Sequence, residues 1–474
     1  MLNISDHKSI EKVVRHFEEF SAIPHGSGNT SMIADYLVDF AKKRNLDYSR
    51  DAADNVIIRK AATKGYEGRP GIIFQGHLDM VAEKKPGSDI DMEKDGLKLY
   101  RDGDFLRAEN TTLGGDDGVA LAYALAVLDS DDIPHPDFEA VFTSDEEIGL
   151  LGAVAINPDE IKGRLLINID SDEEGVFTVG CAGGMRSDIT LPVRRTNSGD
   201  NSFRVKVSGF KGGHSGVEID KGRVNANKAL VEIISSIGDI SIKDIRGGNA
   251  DNAIPREAEC VFSSSYDHTA LITKLGNSLK DKYADIEPSI EVSVEKIDYP
   301  VAGVSVEDSS RLISLLAKLP SGIIAMSTDV VGLVETSLNM GILKLESDKA
   351  EVSFSVRSAK GTEKEKLSHR LEEIASEHGA SYSTRGEYPA WEYKKDSHLR
   401  EVMKKVYEDM YGTSPEIVII HAGLECGIFS EKLEGIDCVS IGPNNYDIHT
   451  TEERLSLSSL ERVWEFLLRV LREI

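Results

Sequence analysis

The chain has 474 residues, more than one compact core accommodates, so two or more domains are expected. Hydrophobic residues make up 40% and charged residues 29%, as in an ordinary soluble globular protein. The 55 basic and 81 acidic side chains leave a formal charge of -26, which excludes a nucleic-acid partner because phosphate binding needs a basic surface. No run approaches the ~20 apolar residues of a membrane span, and residues 1–8 carry no apolar signal core. A soluble, cytoplasmic protein with no membrane partner is expected. The four cysteines, Cys181, Cys260, Cys426 and Cys438, form no CxxC pair, so neither a thiolate zinc site nor a disulfide framework is indicated.

In chain order, residues 8–48 predict two helices from the faces Ile10, Val13, Val14, Phe17 and Ile33, Tyr36, Leu37, Phe40, joined by a turn-forming loop at Ala22–Asn29. Residues 55–58 read as a strand. Residues 72–82 read as a buried strand interrupted by His77 and Asp79, two positions apart and so expected on one face. Burying an imidazole beside a carboxylate is costly unless they pair or bind a metal. A polar stretch runs from Glu83 to Arg107. Asp116 follows two glycines at the start of a buried helix over 119–128, where it could act as a simple cap. The strand 138–143 ends in Ser144-Asp145-Glu146-Glu147, and a strand from Leu165 ends at Asp170. Strand ends beside glycine are where open α/β sheets place functional groups. Alternating strands and helices predict an α/β domain with a mostly parallel central sheet. Asp170–Gly175 resembles the opening of a calcium loop, but its twelfth position is Cys181 and a strand precedes it.

From about Met185 the pattern changes. Residues 202–207 alternate strictly, a glycine-bearing loop with His214 follows, and 225–237 reads as a helix. Residues 350–357 alternate again before a helix over 363–378. Residues 186–388 are therefore expected to form an inserted α+β domain made of two related halves. Residues 1–185 and 389–474 would form the two parts of the first domain, the second part running helix 397–411, strand 416–420, strand 439–441 and helix 456–474.

Five segments thus end in His77, Asp116, Glu147, Asp170 and His449. Imidazole with carboxylate and no thiolate suits a catalytic site for zinc, manganese or cobalt, and two such ions ~3.5–4 Å apart can share a bridging carboxylate. Spacing alone leaves each residue open as a surface or capping group. The pair Glu146-Glu147 is suited to divide the tasks of metal ligand and general base. Asp79 is suited to accept the second N–H of a ligand histidine.

Gly76–Asp79, Leu113–Gly118, Thr143–Gly149 and Asn168–Asp170 occur in the order of the co-catalytic zinc exopeptidases, and the sequence resembles that family over nearly its whole length. His77–Lys84, Gly212–Gly216, His421–Gly427 and Ile448–Leu455 look most like its aminoacyl-histidine dipeptidase branch. The resemblance implies that His77 and Asp170 bind one zinc, Glu147 and His449 the other, and Asp116 bridges both. It makes Asp79 the residue that orients His77. Glu146 becomes the general base for a zinc-bound hydroxide that attacks the peptide carbonyl, and then passes its proton to the leaving amine. The inserted domain becomes a lid. His214 matches the family histidine that stabilises the oxyanion, and Asn252, Arg357 and Gly423 match substrate-contacting positions. Arg357 would fork a free C-terminal carboxylate. One departure stands beside a ligand: the family loop reads Leu-Gly-Ala-Asp, and Gly115 replaces the alanine here.

The implied activity is metal-dependent hydrolysis of unblocked dipeptides, including Xaa-His pairs. Sister activities are deacylation of N-acyl amino acids and removal of a residue from tripeptides. A metal-binding protein without turnover would have lost Glu146 or a ligand, and none is lost. A small peptide is the expected partner, and self-association as a homodimer stays open.

Overall fold

In a computed structural model of the protein, residues 2–197, 201–328, 330 and 332–474 are described. The chain separates into two compact units: residues 1–180 with 393–419 and 424–474, and residues 181–392 with 420–423. These bounds differ by a few residues from 186 and 388. The short stretch 420–423 joins the second unit because Ile420 accepts from the Ala182 N–H, and Cys181 bridges to Trp391 there. Among the described residues, no helix is long and apolar enough to cross a membrane.

The first unit is built on an eight-stranded sheet. Its four central strands, Phe138–Thr143, Ile72–His77, Leu165–Asn168 and Asp437–Ser440, are parallel neighbours in that order. Antiparallel pairings flank them. The central strands are buried on both faces, hence their continuous runs of Ile, Leu, Val and Phe rather than strict alternation. Helix Gly115–Leu128 is buried all round from Gly118 onward, which explains its Ala-Leu composition; Asp116 and Asp117 at its start are outside helical dihedrals.

One expectation changes here, and two further stretches carry strands that the sequence did not signal. The strand ends at His77 and does not continue to Ala82. The Leu78 N–H still reaches Thr143, but the Met80 N–H turns to the His25 carbonyl, so Asp79 lies beyond the sheet. The polar stretch 83–107 contains a strand, Leu99–Asp102, and leads into Phe105–Ala108; with Asn445–Tyr446 and Arg454–Ser456 they make a four-stranded sheet. These strands have two to four residues, too short for alternation to register. Strand Val176–Cys181 occupies part of the segment that began like a calcium loop.

The second unit is one antiparallel sheet formed by two βαββαβ halves. One half is Ser202–Ser208, Ala226–Ile234, Ser241–Gly247, Ala258–Ser263, Thr269–Lys282 and Glu291–Ile297. The other is Gly183–Pro192, Val306–Lys318, Val334–Leu345, Lys349–Ser358, Gly361–Glu377 and Ser381–Tyr388. In each half the strands lie in the order fourth, first, third, second, and the two second strands join through Arg246–Lys344 and Gly247–Leu343. The expected match of 202–207 with 350–357 is therefore corrected. Ser202–Ser208 is a first strand and corresponds to Gly183–Pro192, while Lys349–Ser358 is a third strand. The first half is spliced between the first strand and first helix of the second, which hides the correspondence in sequence order.

Candidate metal centre and substrate-binding residues

Three adjacent parallel strands deliver ligands to one edge of the first unit's sheet. His77 is the last residue of its strand. Asp170 lies two residues past Asn168, and Glu146 and Glu147 follow Thr143 by three and four. Asp116 arrives from the start of helix Gly115–Leu128, and His449 from the loop after Asn445–Tyr446. His449 and Asp145 have left-handed φ of 61° and 52°, uncommon for residues other than glycine. Gly76 is required: a Cβ there would lie 2.2 Å from both the Asp117 Oδ2 and the Ala120 Cβ.

Asp116 sits between the two histidines. Its Oδ1 is 2.9 Å from His77 Nε2 and its Oδ2 is 3.1 Å from His449 Nε2. Asp170 Oδ1 stands 3.8 Å from His77 Nε2, and Glu147 Oε1 stands 2.8 Å from His449 Nε2. Donor atoms of His77, Asp116 and Asp170 lie within 4.8 Å of one another, as do those of Asp116, Glu147 and His449; His77, Glu146 and Glu147 form a third such group. Glu147 Oε1 is buried without a hydrogen bond of good geometry, despite the nearby imidazole. Two N/O donor groups sharing one carboxylate fit a pair of divalent cations.

The orientation of His77 is fixed from behind. His77 Nδ1 donates to the Asp79 backbone carbonyl at 2.9 Å, leaving Nε2 for the site; the Asp79 carboxylate is farther off, at 3.6 Å. That carboxylate instead accepts from Ser27 Oγ (2.8 Å), Glu146 N (2.9 Å) and Glu147 N (3.3 Å). Asp79 thus holds the Glu146-Glu147 loop as well as flanking His77, a task that strand alternation did not suggest.

The crowding of acids sets the site's electrostatics. Burial, followed by the neighbouring Asp116 carboxylate, raises Asp170 well above the usual carboxylate range. Burial pushes Glu146 up to about 8, with Glu425, Asp116 and Glu147 adding to it against His77. Hydrogen bonds to Asp116 and Glu147 push His449 up to about 10. Burial alone would lower His77, but its bonds to Asp116 and Asp79 carry it well above the ordinary value. The same two histidines hold Asp116 below its ordinary value against the cost of burial. In the metal-free protein, protons hold together a cluster that divalent cations would otherwise neutralise.

Two acids escaped the sequence reading. Asp172, two residues past Asp170, is pushed up to about 7 by burial and then by Asp116 and Glu453. Glu425, inside the quoted His421–Gly427 motif, is fully buried and accepts from Gln75 Nε2 (2.5 Å) and Thr143 Oγ1 (2.7 Å), while Asn168 Nδ2 donates to Gln75 Oε1 (2.7 Å). Gln75 and Asn168 each precede a ligand position by two residues. A polar belt therefore underlies the strand ends, and the only signal for it was an acid in a motif with no assigned task.

The four substrate-binding candidates lie in the second unit. His214 pairs with Ala253, beside Asn252, and the Asn252 carbonyl accepts from Ser215 N. His214 Nδ1 accepts from the N–H groups of Gly216 (3.1 Å) and Val217 (3.3 Å), so the ring proton belongs on Nε2. Burial and then Arg357 lower its pKa, keeping the imidazole neutral and Nε2–H available as a donor. Arg357 is buried and donates to Tyr388 Oη at 2.8 Å; among the described residues no carboxylate pairs with it. A Cβ on Gly423 would meet the Tyr388 ring at 2.6 Å, and His421 Nε2 lies 2.7 Å from Ser337 Oγ.

Comparison with known proteins agrees with this arrangement. The profile of "Peptidase family M20/M25/M40" matches residues 73–473. The chain is 34% identical over 467 residues to the cytosol non-specific dipeptidase of Escherichia coli K12, covering 97% of this chain and 96% of the relative. It is 34% identical to the aminoacylhistidine dipeptidase of Vibrio alginolyticus, whose crystal structure superposes with a TM-score of 0.93 over 98% of this chain and 96% of that one. Aminopeptidase PepT from Bacillus cereus, 19% identical, shares the fold with a TM-score of 0.61 over 98% of both chains. The match begins one residue into the strand that ends in His77 and runs past His449 into the last helix, so every proposed ligand lies within it: the chain belongs to peptidase family M20/M25/M40.

Proposed function

We propose that the protein is a metallo-dipeptidase that hydrolyses the peptide bond of unblocked dipeptides, Xaa-His pairs among them. The observation that carries this is the placement of Asp116, one oxygen toward His77 and the other toward His449, with Asp170 and Glu147 on the respective sides. His77 and Asp170 would hold one divalent ion, Glu147 and His449 the other, and Asp116 both. Zinc suits the mixed imidazole and carboxylate donors, with manganese and cobalt as competitors. When bound, the pair supplies Lewis-acid polarisation of the peptide carbonyl and makes a water acidic near neutral pH.

The chain's own groups do the rest. Glu146 takes the proton from that water on a carboxylate oxygen and returns it to the leaving nitrogen. Asp79 keeps Glu146 and Glu147 in register by holding their N–H groups. His214 supplies Nε2–H to the developing oxyanion. Arg357, buried with no carboxylate paired to it among the described residues, pairs with the dipeptide's C-terminal carboxylate, with Asn252 and Gly423 as further substrate contacts. Similarity to a relative named as cytosolic supports a cytosolic setting. Self-association as a homodimer is read by sedimentation.

The test is cleavage of a panel of unblocked dipeptides, N-acetyl amino acids and tripeptides, before chelation, after it, and after adding back zinc, manganese or cobalt. Metal-restored cleavage confined to dipeptides supports the reading. Cleavage only of acyl amino acids or tripeptides moves the protein to a sister activity. Glu146→Gln should lower turnover about 10²- to 10⁴-fold with metal still bound. Near-normal hydrolysis by that variant rejects the assigned mechanism.

A further inference from the structure

We infer that Glu453 is a positioning residue that clamps the loop carrying Asp116 to the hairpin carrying His449, and thereby sets the affinity of the metal pair. The inference rests on the two-metal reading above. The helical dihedrals begin at Gly118, where Asp117 Oδ1 accepts from Ala120 N (3.4 Å); the buried loop before it turns at a left-handed Gly114 with φ 69°, leaving the N–H groups of residues 113–115 outside the helix. Such groups need acceptors when buried. Glu453, only 4% exposed, supplies them from a distant segment. Its Oε2 accepts from Leu113 N (2.7 Å) and Gly114 N (3.1 Å), and its Oε1 from Gly115 N (2.8 Å).

The other side of the clamp is the hairpin between Asn445–Tyr446 and Arg454–Ser456, paired through Asn445–Leu455 and Tyr446–Arg454. Asn445 and Glu453 stand at its base, where Asn445 Nδ2 donates to Glu453 Oε1 at 3.2 Å. His449 is at its tip, 43% exposed at the side chain and held by little packing. Its place beside Asp116 and Glu147 therefore depends on how firmly the base is seated. The base is seated on residues 113–115, the three positions just before the bridging Asp116. One carboxylate so ties two ligand segments more than 300 residues apart in sequence. Gly115 belongs to the same device. A Cβ there would meet the Asn445 amide at 2.8 Å, so glycine at this position makes room for Asn445 against the clamp.

The experiment measures stepwise zinc binding to the chelator-stripped protein by competition with a chromophoric chelator, together with amide hydrogen exchange at residues 113–115 in the metal-free state. Glu453→Gln puts an N–H where a carboxylate oxygen received one. It should weaken at least one zinc step about 10- to 100-fold and speed exchange at Leu113, Gly114 and Gly115. Glu139→Gln is the control: that carboxylate is equally buried and accepts from Lys162 N and Gly163 N at the far end of its strand. It should leave zinc binding unchanged. Wild-type affinity in Glu453→Gln, or an equal loss in Glu139→Gln, overturns the inference. Should Glu453→Gln not fold, Asn445→Ala removes one donor and keeps the charge; a smaller loss of affinity in the same step sustains the inference and no loss overturns it. A wild-type protein that binds no metal pair would instead reject the reading on which the clamp rests.

Discussion

Replacing Glu425 by glutamine should make the metal-free protein more stable at alkaline pH and leave it nearly unchanged at acidic pH. Glu425 is fully buried, and burial pushes its carboxyl up to about 7 from the ordinary 4.5, with hydrogen bonds from Thr143 and Gln75 opposing. The folded chain therefore keeps this proton to about pH 7, while the unfolded chain releases it near pH 4.5. Between those values the unfolded state binds fewer protons, so stability falls as pH rises. At about 1.4 kcal/mol per pH unit the loss approaches about 3 kcal/mol above pH 7. In Glu425→Gln the amide oxygen can take the place of Oε2 and accept from Gln75 and Thr143, and the amide nitrogen falls where Oε1 now has no partner. The variant cannot ionise and lacks this pH-dependent loss. Urea unfolding of both chelator-treated proteins at pH 5 and pH 8 reads the effect. The stability difference should shift by about 2.5 kcal/mol in favour of the variant, because part of the loss is already present at pH 5. Parallel pH curves for the two proteins would refute the argument that this carboxyl is held protonated in the fold.

Metal uptake should release protons, because His77 and His449 are charged in the metal-free site at neutral pH and must be neutral to ligate. Calorimetry in buffers of different ionisation enthalpy counts the protons, and apparent affinity should rise from pH 6 to 9; a pH-independent affinity would contradict the pairing described. Asp79→Asn loses a charged acceptor for Ser27, Glu146 and Glu147, and should lower metal affinity or turnover about 10- to 100-fold with little change in KM. Steady-state kinetics with metal titration checks it. Gly76→Ala drives a methyl against Asp117 Oδ2 and Ala120, and should cost about 1–3 kcal/mol or more in unfolding free energy, a figure that chemical denaturation measures directly.

The candidate ligands were picked out through the family resemblance, and the structure gathers them from three sources: strand ends for His77, Glu147 and Asp170, a helix start for Asp116 and a loop for His449. The long strands and amphipathic helices were legible because each buries a continuous face. What lay hidden depends on partners remote in sequence. Asp79 was placed by extending strand alternation two residues too far, and its main partners come from residues 27, 146 and 147. Glu425 sat in plain view within His421–Gly427, but its partners Gln75 and Thr143 are more than 280 positions upstream. The strands at 99–102 and 105–108 are too short to show a period; they pair with each other, and 105–108 finds its second neighbour beyond residue 440.

The nested arrangement of the two βαββαβ halves has a consequence for how the chain is assembled. Strand Gly183–Pro192 pairs with Lys349–Ser358, partners 157 to 175 positions apart. Its other neighbour, Ser381–Tyr388, is made later still. The spliced half contains all four of its own strands within 202–297, so it can close on local contacts as soon as it is synthesised. The enclosing half cannot, because its first strand waits through that entire interval with unpaired N–H and C=O groups. Vectorial synthesis thus imposes an order on the second unit, inner half before outer, and the waiting of Gly183–Pro192 is the stage at which the nascent chain is most open to mispairing.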